Sequence, residues 1–165
     1  MIFRLTLKLS EKIGLAPSQT LPSDKNPYAD WSAHLFTAQR LQYIILTNTA
    51  SLYSMVMFGR GMSNDKYFVQ GALTCMREFM AADENKNIFQ THIEPLVNDI
   101  SFSRITDRRV MGSMNDFVFQ AKVCLNMGES PFNVSFLLNK APMSYLKYRR
   151  PKDAFKDSIT LFEGF

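Results

Sequence analysis

Cysteine and histidine are the scarcest chemistry in this 165-residue chain, which holds two of each. Cys75 and Cys124 stand far apart among apolar neighbours without a CxxC spacing. That excludes a disulfide-stapled fold or a thiolate zinc site and predicts two buried, reduced thiols. His34 and His92 form no HxxxH or HExxH pattern, so the spacings that hold a catalytic metal are missing. No metal and no cofactor are expected. Glycine is sparse as well, at seven residues, and GRG at 59–61 is too short to cradle a phosphate. No apolar run approaches the roughly 18 residues that cross a bilayer. The opening MIFRLTLKLSEKIG meets charge at Lys8, Glu11 and Lys12, where a secretory signal would hold an unbroken apolar block. The expectation is a cytoplasmic protein without a membrane partner.

What the chain does have is apolar mass. Hydrophobic residues make up 46%, with 14 Phe and 10 Met, enough for one core in a single domain over 1–165. The same residues would equally serve a homo-oligomer interface. The formal charge of +4 is unevenly placed: residues 1–100 carry 9 Lys+Arg and 9 Asp+Glu, residues 101–165 carry 10 and 6. An anionic partner should therefore meet the last two-fifths of the chain first.

Periodicity sets the element order. IFRLTLKL alternates apolar and polar residues through Leu9, as a strand does, and a helical turn at SEKIG stops at Gly14. Three prolines make 15–30 a long loop that covers something. WSAHLFT, LQYIILT and SLYSMVMF read as a three-strand meander whose middle run, Tyr43 to Leu46, is central. Ser63 or Asn64 caps a helix to about Ala82, DISFSRIT is a further strand, and 107–128 is a second long helix ending at Gly128. FNVSFLLNK forms a short helix before the irregular, basic APMSYLKYRRPKD. The class is α+β, an antiparallel meander-containing sheet with two long amphipathic helices packed on it.

Two stretches hold the candidate binding residues. In TDRRVMGSMNDF, Arg108 and Arg109 occupy a first helical turn, where the macrodipole disfavours a cation by roughly 0.3–1 kcal/mol. An anion docked there would offset that cost and meet Ser113 or Asn115 as well, with Gly112 permitting close approach. In KAPMSYLKYRRPK, the cations Lys140, Lys147, Arg149, Arg150 and Lys152 surround Tyr145 and Tyr148. Cations beside stacking rings suit single-stranded nucleic acid. Both stretches read equally as solvated surface, the arginines pairing with nearby Asp side chains and the tyrosines half buried. For catalysis there is no comparable signal: Asp83 and Glu84 diverge on a helix, and neither cysteine has a histidine nearby.

Four blocks, FRLTLKL at 3–9, DWSAHLFTAQRLQYIILTNTASLYS at 30–54, ITDRRVMGSMNDF at 105–117 and APMSYLKY at 141–148, carry a resemblance. They resemble a bacterial domain family of unknown function, found as small stand-alone proteins and fused to a plasmid-encoded open-reading-frame family. The resemblance implies an accessory gene, often on mobile DNA, with a defence, toxin–antitoxin or cassette-borne role; it brings no activity with it. Asn48, Ser51, Arg108, Ser113 and Asn115 fall inside the shared blocks, whereas Arg109 departs from a family preference for a small polar residue.

Three functions remain open. The first is a binding module for phosphate-bearing ligands, either nucleic acid or a phosphorylated small molecule. The second is a nuclease or nucleotide-modifying enzyme, which requires the LTNTAS turn with Asn48 and Ser51 to meet the helix that starts at Arg108 across a cleft. The third is a homo-oligomeric interaction module.

Overall fold

The computed structural model describes residues 1–163, with side chains through residue 160. Strand β1 (Ile2–Leu5) is followed by helix α1 (Leu7–Ile13), and the meander is β2 (Asp30–Ala38), β3 (Leu41–Asn48) and β4 (Ser54–Phe58). Helix α2 (Asp65–Ala82) and a short α3 (Lys86–Ile88), which runs into a π turn, lead to β5 (Ser101–Arg104). Helices α4 (Arg108–Asn126), α5 (Pro131–Leu138) and α6 (Pro151–Glu163) complete the α+β fold.

The five strands form one sheet in the order β4-β3-β2-β1-β5. The meander is antiparallel as expected, but β1 runs parallel to both β2 and β5, so the sheet is mixed. Parallel neighbours require a crossover. That is why the alternation from Phe3 to Leu9 does not continue as strand: the chain leaves the sheet at Thr6, and α1 begins its return to β2. Leu9 and Ile13, four residues apart, are buried by this helix, Leu7 is 74% exposed, and Gly14 closes α1 at φ 66.

One face of the sheet packs on α2, where Phe68, Ala72, Met76 and Phe79 meet Phe3, Leu35, Ile44 and Met55. The opposite face packs on α4, where Val110, Met114, Phe117 and Ala121 meet Phe36, Tyr43, Ile45 and Val56. Both helices present apolar stripes at three- and four-residue spacing, as their sequences predict. Helix α6, whose first three residues fall in the stretch 141–153 expected to be irregular, inserts Phe155 against Tyr53 (4.2 Å, stacked), Tyr28 and Trp31. The two cysteines are free and half buried.

A row of polar residues crosses the α4 face, one from every strand and in direct register: Ser103, Arg4, Ser32, Thr47 and Ser54. All five are buried. Arg4 is held bidentately by Asp30, with Nε to Oδ1 at 2.7 Å and Nη2 to Oδ2 at 2.8 Å. Its remaining donors go to the carbonyls of Leu21 and Pro22 and to Ser103 Oγ. The hydrogen bonds to Asp30 hold the guanidinium above its ordinary pKa despite burial. The proline-rich loop is thus the lid over a buried ion pair.

Helix α5 lies along the outer edge of β4 and bonds to it as a strand would. Asn139 accepts from Ser54 N (2.8 Å) and donates to Ser54 O (2.7 Å), while Ser135 Oγ accepts from Val56 N (2.8 Å). An otherwise sticky sheet edge is covered this way.

Removing one partner of the buried pair leaves the other charge stranded, so Asp30→Ala should cost about 3–5 kcal/mol in urea unfolding. The double variant Arg4→Met/Asp30→Leu should recover most of that loss. His34 gives a second test. Its Nδ1 sits 3.0 Å from Thr6 Oγ1, and burial, with Lys8 and Lys122 nearby, lowers its pKa from 6.5. The unfolded chain therefore takes up a proton first as pH falls, and stability should decline from pH 6.5 downward through the folded pKa. His34→Gln should flatten that decline in melting curves taken between pH 7.5 and 5.

Candidate functional site

Helix α4 begins at an Asp107 N-cap whose Oδ1 accepts from Arg109 N (2.8 Å) and Val110 N (3.3 Å), while its carbonyl accepts from Met111 N. The carboxylate supplies the negative charge that the first turn favours, which is how two arginines are accommodated there. Arg108 is exposed. The Arg109 guanidinium lies 5.0 Å from the ring centroid of Tyr145, a cation–π contact. The two candidate stretches, 106–117 and 140–152, therefore meet.

The basic stretch is ordered by an unusual backbone. Lys147 and Tyr148 both have positive φ, 54° and 64°, pinned by Tyr148 N to Met143 O and by a bridge between Met143 and Arg149. The turn points Tyr148 outward, 76% exposed. Burial and Asp107 push the Tyr145 hydroxyl pKa up. Arg149 pairs with Asp157 and Arg150 with Asp153, so these two cations are partly neutralised by α6. Among the described residues Arg108, Lys140, Lys147 and Lys152 have no ion-pair partner.

The remaining candidates are Asn48, Ser51, Ser113 and Asn115. Asn48 and Ser51 are buried and staple their own turn: Asn48 Oδ1 accepts from Ser51 N and Oγ, and its Nδ2 donates to the carbonyls of Pro27 and Asp30. Ser113 is buried and donates to Arg109 O at 3.0 Å, whereas Asn115 is exposed.

The LTNTAS turn and the start of α4 nonetheless meet across a cavity of about 400 Å³. Its polar lining is Arg4, Ser23, Ser32, Thr49, Thr106 and Asp107, and Leu21, Pro22, Ile105 and Val110 supply its apolar walls. Thr49, Thr106 and Asp107 each stand one or two positions from a residue the sequence singled out. Arg4 gave no signal, because an arginine alternating in a strand reads as solvent-facing. A larger, mostly apolar groove of about 670 Å³ lies between α2 and α5, with Met57, Tyr67, Phe79 and Phe132 among its lining.

Acid–base and nucleophilic chemistry find little footing here. Burial pushes the Cys75 thiol up to about 12, far from a reactive thiolate. The Tyr53 hydroxyl is buried, donates to Asp83 Oδ2 at 2.7 Å and is also pushed up. Among the described residues no group of three or more His, Cys, Asp or Glu side chains could hold a metal ion. No described helix is long and apolar enough to cross a membrane.

No curated protein and no solved structure matches the chain. One family model does match, over residues 2–154 and therefore over every block described above. The chain belongs to that family, described as a domain of unknown function (DUF6933).

Proposed function

We propose that this chain is a cytoplasmic binding module for phosphate-bearing ligands, single-stranded nucleic acid first among them. Its contacts are made where the first turn of α4 meets the 140–152 stretch. The observation that carries this reading is the Arg109–Tyr145 contact at 5.0 Å, which joins two separate basic stretches into one surface. Unpaired cations at Arg108, Lys140, Lys147 and Lys152 neutralise phosphates, and the exposed Tyr148 ring stacks a base. Two successive non-glycine residues in the left-handed region cost roughly 1–2 kcal/mol each, and strain of this kind collects at binding sites. A bacterial accessory gene on mobile DNA, the setting the family resemblance implies, suits such a module.

Fluorescence anisotropy with short single-stranded RNA and DNA over a salt titration tests the proposal. Arg108→Ala/Arg109→Ala should weaken binding roughly tenfold or more and flatten the salt slope by about 2. Arg149→Ala/Arg150→Ala should do less, because Asp157 and Asp153 already hold those guanidiniums. Binding that neither pair alters, or no salt-dependent binding at all, rejects the reading.

A second reading, self-association, is favoured by Phe119 and Val123 on α4 and Met127 at its C-cap, which stand four residues apart at 71%, 46% and 80% exposure. A stripe so regular and apolar is the pattern of a helix that meets a partner. Light scattering coupled to size exclusion should then show a dimer or larger species that Phe119→Glu/Met127→Glu converts to monomer; a monomeric wild type rejects this reading.

A further inference from the structure

We propose that the cavity at the head of α4 takes a nucleobase, with the attached phosphate reaching out to Arg108 and its neighbours. The inference rests on the phosphate-binding reading and names what that surface holds. The cavity itself is chemically wrong for a phosphate. Arg4, its one buried cation, has all five N–H donors committed to Asp30, Ser103 and the carbonyls of Leu21 and Pro22. The backbone donors of Arg109 and Val110 are likewise taken by Asp107 Oδ1. The only ionised group with an atom to spare is the Asp107 carboxylate, whose Oδ2 has no partner among the described residues.

What remains uncommitted is neutral or acceptor chemistry. Ser32 Oγ and Thr49 Oγ1 are 2.9 Å apart, so one hydroxyl proton joins them and the other is free to point into the cavity. Either hydroxyl can be the donor, so the free proton sits on the buried Ser32 or on the half-buried Thr49, both of which line the cavity. Thr106 adds an exposed hydroxyl at the rim, beside Asp107, with no hydrogen-bond partner among the described residues. Leu21, Pro22, Ile105 and Val110 add apolar wall. The ligand these groups fit has apolar faces, at least one N–H for Asp107 and an acceptor for the hydroxyl pair. A nucleobase meets all three requirements, whereas a bare sugar lacks the faces and a second anion meets the carboxylate. At about 400 Å³ the cavity lies within the usual range of small-molecule sites, about 300–1,000 Å³. Arg108, the next residue after Asp107, is exposed and is the cation the proposal assigns to the phosphate.

The test titrates the full chain with AMP, CMP, GMP, UMP, ribose 5-phosphate and inorganic phosphate, read by amide chemical shifts. At least one nucleotide should bind roughly tenfold more tightly than ribose 5-phosphate, the worth of about one charge-assisted hydrogen bond. Shifts should centre on Ser32, Thr49, Thr106 and Asp107. Asp107→Asn keeps a capping side chain and Thr49→Val keeps the shape of the residue; with melting temperatures near wild type, each should reduce that advantage to twofold or less. Equal affinity for nucleotides and ribose 5-phosphate overturns the base pocket and leaves phosphate binding standing. A nucleotide advantage that survives both substitutions, with shifts confined to Tyr148, overturns it in favour of surface stacking. No binding of any of the six, together with no oligonucleotide binding, overturns the phosphate reading as well.

Discussion

The buried pair of Arg4 and Asp30 is the constraint around which this fold is arranged. An arginine at the third position of β1, 7% exposed, demands five acceptors in one place. The fold supplies them from three directions: Asp30 at the start of β2, Ser103 on β5 and two carbonyls of the loop over 15–26. Asp30 Oδ2 also takes the amide of Asp24, so the carboxylate ties the loop's far end to the same centre. Lifting the loop would take two carbonyl acceptors from the guanidinium and the Asp24 amide from its carboxylate partner, so the loop is tied down at both of its ends.

Much of the surrounding architecture follows from that demand. The polar row from Ser103 to Ser54 keeps one band of the α4 face from filling with side chains of the apolar core. The space it leaves at the head of α4 becomes a cavity, bounded by the lid loop, the Thr49 turn and Asp107. At the other end of the row, Ser54 is met by Asn139, whose amide copies the donor and acceptor of a neighbouring strand. Helix α5 thereby replaces a sixth strand, at the cost of burying a polar side chain that must be fully satisfied. Phosphate recognition, in the reading proposed above, uses the outer surface of this same α4 head, where Arg108 and Arg109 are exposed.

The regular parts of the fold were legible because they rest on local pattern. The meander, α2 with its Asn64 cap, β5, α4 and α5 each carry a period of two or near 3.6 with a recognisable stop. Where reading failed, a non-local contact had overridden the pattern. The alternation from Phe3 to Leu9 looks like one strand, yet the parallel pairing of β1 forces the chain out at Thr6. Arg4 looked like a solvent-facing residue, and only the loop above it makes it buried. Helix α6 was missed because its stabilisation is tertiary, through Phe155 held among Tyr28, Trp31 and Tyr53. The candidate site was half legible: the sequence pointed to the α4 start and the LTNTAS turn, but chose Asn48 and Ser51, which staple the turn, over Thr49, which lines the cavity.

By itself, then, the sequence determined the α+β class, the order of most elements, the concentration of positive charge in the last two-fifths and the lack of metal-binding spacings. Each of these is a property of neighbours along the chain. The tertiary structure decided that Arg109 meets Tyr145, that Arg149 and Arg150 are pinned by Asp157 and Asp153, and that Thr49 and Asp107 share a cavity. Those outcomes depend on which distant groups are brought within a few ångströms. Hydrogen bonds and ion pairs fade over that same few ångströms, so no spacing in the sequence can report them.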